Sequence, residues 1–292
     1  MTRLLIGFDD SEPARAAIRA ARALFGPCEA VVAHVHPPAP SMASAGLARV
    51  ALPETMVAEG IDNLREQAET EARATTEAGV ELARAAGLEA EPQLRFALTP
   101  WRELRTIAAE IGADAIVCGT DGEGALERAM LGSTASSLVH HAERPLLVVP
   151  AGAGDGGTAP TSADTGGTPP VVAGYDGSDG ARAALRFAGE HVRDAPLLVV
   201  HAIDARTTVP DDAVAEEGAA FARELGLDAR AGSPVAARGP WRTLLASAQE
   251  HGAAAVLVGS RGRGAVASTV LGSVASGLVH AAALPVLVVP GT

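Results

Sequence analysis

The chain contains no lysine; its 23 basic residues are all arginine, against 35 acidic ones, for a formal net charge of −12. A Walker A loop needs Gly-Lys-Ser/Thr and is therefore excluded. So acidic a chain is a poor partner for a nucleic-acid backbone or an anionic membrane. Aromatic residues fill only 3% of the 292 positions, so Ala, Val and Leu must build the core. Cys28 and Cys118 are the sole cysteines. Their spacing fits no metal site, and both read as free, mostly buried thiols. No apolar run approaches the roughly 18 residues that span a membrane. The N-terminus enters a strand at once, with no signal peptide. The expectation is a cytoplasmic protein with no membrane insertion, long enough for two domains.

What the chain does have is a glycine pattern that occurs twice. Gly119 and Gly122 are followed, after nine intervening residues, by Gly132-Ser133; Gly259 and Gly262 are followed at the same spacing by Gly272-Ser273. Each member of the second set lies 140 positions after its counterpart. Between 100–150 and 240–290 about half of the positions are identical without a gap, the mark of a duplicated unit.

The same order of elements recurs on both sides of 151–168, a Gly/Thr/Ala/Asp-rich stretch that reads as a flexible linker. Strand 4–8 matches 171–175, helix 12–25 matches 179–192, and strand 30–35 matches 197–202. Helix 101–111 matches 241–251, and apolar strands 146–149 and 286–289 close the two copies. Short β-branched runs alternating with helices are the signature of buried parallel strands in an α/β sheet. Domains are expected at 1–150 and 170–292, with 151–169 between them. Early landmarks are offset by 167 residues and late ones by 140, which puts 27 extra residues between the second and third strands of the first copy. Most of them fall in 37–55, ahead of a long charged helix expected over 56–86. That insertion is a surface excursion, a lid or a partner-docking segment.

Strand, glycine loop and helix N-terminus together make a phosphate cradle. A backbone that wraps a phosphate turns N–H groups inward, which calls for positive φ at some positions and no Cβ in the way. Gly119 and Gly122 are expected to supply this, and Gly132 lets the chain approach again. Ser133 adds a hydroxyl and an N–H at a helix N-terminus, where the macrodipole favours an anion. Gly-Ser would also serve as a plain helix cap, but its doubling at identical spacing favours the phosphate site. A second constellation ends the first strand: Gly7-Phe8-Asp9-Asp10-Ser11, matched by Gly174-Tyr175-Asp176-Gly177-Ser178. Ser11 and Ser178 are expected to cap the next helix. Asp9 and Asp176 fall at strand carboxyl ends, where an open parallel sheet forms its ligand crevice. A carboxylate repels a phosphate, so each Asp suits a ribose hydroxyl, a base or a bound metal. The G-x-G-x-x-G dinucleotide pattern is absent from the first βα turn of either copy.

Asp-x-Ser after strand one, then G-2x-G-9x-G-Ser after strand four, resembles the universal stress protein family of the ATP-binding type, and the match covers both halves. The resemblance implies two domains, each an open five-stranded parallel sheet in the order 3-2-1-4-5 flanked by helices, forming an intrachain pseudo-dimer. It implies that Asp9 and Asp176 hold the adenosine part of ATP. Backbone groups near Val35 and Ala202, after His34 and His201, would face adenine. Gly119, Gly122, Gly132 and Ser133 would surround ribose and phosphates in the first half, as would Gly259, Gly262, Gly272 and Ser273 in the second. Thr134 is a further phosphate ligand on this reading, whereas Val274 at its counterpart lacks the hydroxyl. Asp121 and Glu123 in the first loop stand where the second has Arg261 and Arg263. Arg261 therefore joins the second phosphate site, and the second site is expected to be the tighter. Mg²⁺ would accompany ATP.

No Ser or Cys stands with His34 or His201 and an acid as a triad, and no carboxylate pair is dedicated to a metal, so no catalytic or metal-binding residue is assigned. His140, His141 and His280 suit a helix C-terminus. Trp101 and Trp241 read as packing residues. The leading function is a stress-response module whose ATP occupancy sets its conformation or oligomeric state for a regulatory protein partner. A slow ATPase or self-phosphorylating enzyme is the alternative. A structural pseudo-dimer holding AMP, a cyclic nucleotide or nothing is the third reading. Whether two chains associate further into a homodimer stays open.

Overall fold

The computed structural model describes residues 1–39, 54–120, 131–141, 143–153, 168–193, 195–202, 212–232, 239–262 and 271–291. The first half runs β1 (Arg3–Gly7), α1 (Glu12–Phe25), β2 (Glu29–His36), α2 (Glu54–Ala85), β3 (Glu89–Phe96), α3 (Pro100–Glu110), β4 (Ala115–Gly119), α4 (Ser133–His141) and β5 (Leu146–Val149). The second runs β6 (Val171–Gly174), α5 (Asp179–His191), β7 (Leu197–Val200), α6 (Asp212–Glu224), β8 (Ala229–Gly232), α7 (Pro240–Glu250), β9 (Ala255–Gly259), α8 (Ser273–Ala281) and β10 (Val286–Val289). Most of the 37–55 insertion and of the 151–168 stretch lies outside the described residues.

Among the described residues the strands form one ten-stranded sheet, ordered β3-β2-β1-β4-β5-β10-β9-β6-β7-β8. Pairing within each half is parallel, and β5 meets β10 antiparallel. Each half thus has the expected 3-2-1-4-5 order. At the join, Val286 lies opposite Val148, Leu287 opposite Leu147 and Val288 opposite Leu146. These are counterpart positions of the repeat, so a local two-fold axis passes between Leu147 and Leu287.

Because both faces of the sheet are covered at its centre, the inner strands β4, β5, β9 and β10 are apolar throughout rather than alternating, while the outer β3 and β8 carry charged residues. In β1, Leu4 and Ile6 enter the core under α1, α2, α5 and α6, while Leu5 enters the core under α3, α4, α7 and α8. Both cores run across the join. Burial holds the Cys28 thiol up at about 11 and that of Cys118 at about 12, so both stay protonated. On the first face Phe25 of α1 meets Phe187 of α5 edge-on, 6.3 Å between centroids. The Arg193 N–H donates to the Leu24 carbonyl at 3.0 Å, and His191, stacked on Phe187, has Nδ1 3.2 Å from Thr2 Oγ1. Burial at this seam pushes the His191 imidazole below its usual 6.5, against the pull of Asp114 and Glu190.

Two expectations need correction. Ala30 pairs with Ala90 in the first half, and its counterpart Leu197 pairs with Ala229 in the second, so β3 and β8 are offset by 139. Set against 167, that makes the insertion 28 residues, and the second half regains one residue between β8 and α7. β7 ends at Val200, so Ala202 lies beyond its strand, whereas Val35 lies inside β2, which runs on to His36.

The join is open to test. Replacing Leu147 and Leu287 together by Asp buries two facing carboxylates without partners, which costs several kcal/mol. Small-angle scattering should then show a larger radius of gyration while far-UV circular dichroism keeps most of its helical signal. An unchanged radius would mean that the helices hold the halves together unaided. The seam also predicts a pH response. With the folded value lowered, the unfolded chain takes up the His191 proton first, so stability present above pH 6.5 is lost as pH falls below it. His191→Gln should flatten that acid limb of the thermal midpoint; parallel limbs would remove His191 as the cause.

Candidate functional site

The loops after β1 and β6 are built alike. Asp9 Oδ1 accepts from Ser11 N at 3.2 Å and Oγ at 2.6 Å, and Asp176 Oδ1 accepts from Ser178 N at 3.0 Å. Ser11 and Ser178 cap α1 and α5 as expected, accepting from Ala14 N at 3.3 Å and Ala181 N at 3.2 Å. The residue between them is left-handed, with φ 65° at Asp10 and 76° at Gly177. Asp tolerates that region and glycine adopts it freely. Phe8 and Tyr175, just before each Asp, are buried, and their carbonyls accept from Nδ1 of His34 and His201, both at 2.8 Å.

β4 neighbours β1, and β9 neighbours β6, so each glycine loop leaves the sheet beside an Asp loop. The Thr120 and Ser260 N–H groups donate to the carbonyls of Val149 and Val289 at 2.9 and 2.7 Å. Their own carbonyls accept from Gly132 N at 2.5 Å and Gly272 N at 2.8 Å, which closes each loop at its neck. Residues 121–130 and 263–270, with Asp121, Gly122, Glu123 and Arg263, lie outside the described residues.

The described glycines of these loops do not use positive φ, contrary to the sequence expectation. They serve close packing instead. A Cβ on Gly119 would meet Pro13 Cβ at 2.6 Å and the Ala14 nitrogen at 3.0 Å; one on Gly259 would meet the Gly180 carbonyl carbon at 2.5 Å. One on Gly272 would press on the Ser260 oxygen at 3.1 Å. Gly262 differs, because its Cβ would land 2.5 Å from Asp176 Oδ2. The second loop therefore passes directly against the Asp176 carboxylate at the carboxyl edge of the sheet, where β6 neighbours β9. Gly272 is the N-cap of α8 and, as a glycine, supplies no side-chain cap to that helix. Ser133 and Ser273 are exposed, Thr134 and Val274 half-buried, and Arg261 half-buried.

The remaining candidates are further out. Val35 and Ala202 are half-buried and pack on the core of the second face. Trp101 stacks on His141 at 4.7 Å, and Arg242 lies 4.1 Å over Trp241, so both indoles pack as expected. His141 and His280 bond back to the carbonyls of Ser137 and Ser276. Sequence reasoning missed Gly79 of α2 and Gly218 of α6. A Cβ at either would strike the ring of Phe8 or Tyr175 at 2.6 Å. The signal was a helix glycine opposite each aromatic, hidden by the change of offset from 140 to 139.

The universal stress protein family model matches residues 1–150 and 168–290. A universal stress protein of Mycolicibacterium smegmatis (strain ATCC 700084 / mc(2)155) is 34% identical over 197 residues, 63% of this chain and 64% of that protein. One of Mycobacterium tuberculosis (strain ATCC 25618 / H37Rv) is 32% identical over 193 residues, 60% of this chain and 61% of that protein. The match thus spans less than two thirds of either relative. The crystal structure of a universal stress protein from Archaeoglobus fulgidus DSM 4304 shares the fold, with TM-score 0.65 at 19% identity over 99% of this chain and 98% of that one. With both halves matched, the chain belongs to the universal stress protein family of stress-response proteins, as a tandem of two of its units.

Proposed function

We propose that the chain is an ATP-binding regulatory module of the stress response, acting in the cytoplasm. Occupancy of the crevices at Asp9 and Asp176 sets its conformation, and a protein partner reads that conformation. The observation that carries this reading is the closeness of Gly262 to Asp176 beside the glycine-led start of α8. A carboxylate suited to ribose hydroxyls and N–H groups suited to phosphate then face one crevice. On this reading Asp9 and Asp176 take the ribose, and backbone groups at Val35 and Ala202 take the adenine. Ser133, Thr134 and Ser273 take phosphate oxygens with the helix N–H groups, and Mg²⁺ arrives on the phosphates. Gly119, Gly132, Gly259 and Gly272 keep the loops closed; Gly122 and Gly262 leave room for the ligand. The units are 1–150 and 170–292, with 151–169 as their tether.

The direct experiment is to denature the purified chain and identify released nucleotide by chromatography. Near-stoichiometric ATP is expected. A chain that releases no nucleotide and takes up no added ATP overturns the proposal. Two glycine variants separate binding from folding. Gly262→Ala should push the Asp176 carboxylate aside and weaken ATP at the second crevice about tenfold, with an unchanged urea midpoint. Gly259→Ala overpacks backbone against backbone and should cost about 1–3 kcal/mol of stability in urea. Identical behaviour of the two would mean that Gly262 is a packing residue as well. Arg261→Asp should also weaken ATP about tenfold, since one unit charge at close range is worth about 1 kcal/mol even in water. Calorimetry showing no change would place the Arg261 side chain away from the phosphates.

A further inference from the structure

Phe8 and Tyr175, whose carbonyls belong to the peptides leading into Asp9 and Asp176, are anchored by backbone and by packing. The Phe8 N–H donates to the Ala33 carbonyl at 2.9 Å, and the Tyr175 N–H to that of Val200 at 3.0 Å. Each ring is buried, at 3% and 2% exposure, in a slot that exists because Gly79 or Gly218 lacks a Cβ. An imidazole takes the carbonyl: His34 Nδ1 and His201 Nδ1 both lie 2.8 Å from the carbonyl oxygen. A carbonyl accepts and cannot donate, so Nδ1 carries the hydrogen in both rings. In the first half His34 Nε2 is left facing His36 Nδ1 at 3.4 Å.

Phe8 C=O and Asp9 N–H belong to one rigid plane. Turning that carbonyl therefore turns the Asp9 Cα and swings its carboxylate. An unanchored plane there would loosen the Asp9 and Asp176 carboxylates from the strand side, while the serine groups hold Oδ1 from the other. The same bond, at the same length, has been kept in halves that differ at the aromatic itself. We infer that His34 and His201 are positioning residues: their Nδ1–H groups set the peptide plane that aims Asp9 and Asp176 into the crevices. They act through the aspartates and need not touch ligand. The effect on ATP rests on the nucleotide reading above; the effect on the loop does not.

The test uses the full chain with both histidines changed together. His34→Leu with His201→Leu removes the donor and keeps the bulk; His34→Asn with His201→Asn returns an N–H near the place of Nδ1. Hydrogen exchange is followed without nucleotide at the Ser11, Ala14, Ser178 and Ala181 amides, and ATP affinity by calorimetry. The leucine pair should speed exchange at these amides and weaken ATP about tenfold, the scale of one lost hydrogen bond. The asparagine pair should recover most of both. Unchanged exchange in the leucine pair, or an asparagine pair as loose as the leucine pair, overturns the inference. Should the leucine pair not fold, nitrogen-15 spectra of the unaltered chain decide: Nδ1-protonated rings are expected, and Nε2–H tautomers refute the bond. If the unaltered chain takes no ATP while exchange follows the expected order, the nucleotide reading falls and the positioning role stands.

Discussion

A four-residue apolar edge strand cannot be left in water. It presents unpaired N–H and C=O groups together with a row of aliphatic side chains, which invites aggregation. Each half of this chain ends in such a strand, Leu146–Val149 and Val286–Val289. Pairing the two removes both edges at once, and the register symmetric about Leu147 and Leu287 leaves the strands overhanging equally, by one residue each. All eight residues are consequently buried to 4% exposure or less. The rest follows from that pairing. It makes ten strands one sheet, merges the cores of the two halves on each face, and presses α1 against α5 at Phe25 and Phe187. Because β5 and β10 run in opposite directions, the carboxyl ends of the two sets of strands point to opposite edges of the sheet. The Asp9 and Asp176 turns therefore lie at opposite edges of the sheet.

The glycine loop shows how one residue type answers two demands. Close approach of a strand end to a helix start excludes a Cβ at Gly119 and Gly259 whether or not a ligand is bound. Closing the neck of the loop on Ser260 makes the same demand at Gly272. Where the chain passes Asp176, at Gly262, the missing Cβ makes room for a carboxylate rather than for backbone. The left-handed backbone expected within these loops is found instead at Asp10 and Gly177, in the turn that brings the Asp carboxylate back onto the serine N–H. At Gly119, Gly259 and Gly272 the glycine is thus demanded by the geometry of strand, helix and neck.

Much of this architecture was legible in the sequence, because apolar strands buried on both faces, proline-led helices and repeated landmarks are local signals. The order 3-2-1-4-5 and the pairing of the last strands came from the family resemblance and the need to cover edges, and the sheet bears both out. Ser11 and Ser178 were readable as caps because capping is itself local. The packing reasons for Gly119, Gly259, Gly79 and Gly218 were not readable. Each depends on a partner far away in sequence, such as Pro13, Gly180, Phe8 or Tyr175. The insertion was miscounted by one residue for a similar reason. Landmarks on either side of β3 give only a net offset, and strand pairing alone shows where the chain gains and loses length.

The two halves have also diverged in compensated sets, which bears on whether their crevices are equivalent. In the first, the left-handed position is Asp10, whose carboxylate pairs with Arg15 at 2.5 Å, across the rim of the Asp9 turn. In the second that position is Gly177, and the counterpart arginine, Arg182, pairs instead with Glu217 of α6 at 2.5 Å. Glu217 replaces Ala78, and it also accepts from the hydroxyl of Tyr175, which replaces Phe8, at 3.0 Å. Arg182 further lies over the rings of Tyr175 and Phe221, at 6.0 and 5.6 Å. Three substitutions thus move one arginine from the turn to the helix behind it and take a carboxylate off the rim. Such half-exposed ion pairs add little to stability, so their value here is positional. The rim at Asp176 carries one carboxylate fewer than the rim at Asp9, on the same side of the balance as Arg261 in the loop opposite. The two turns thus differ in charge as well as in backbone, and the difference arises from residues of the turn and of α6 together.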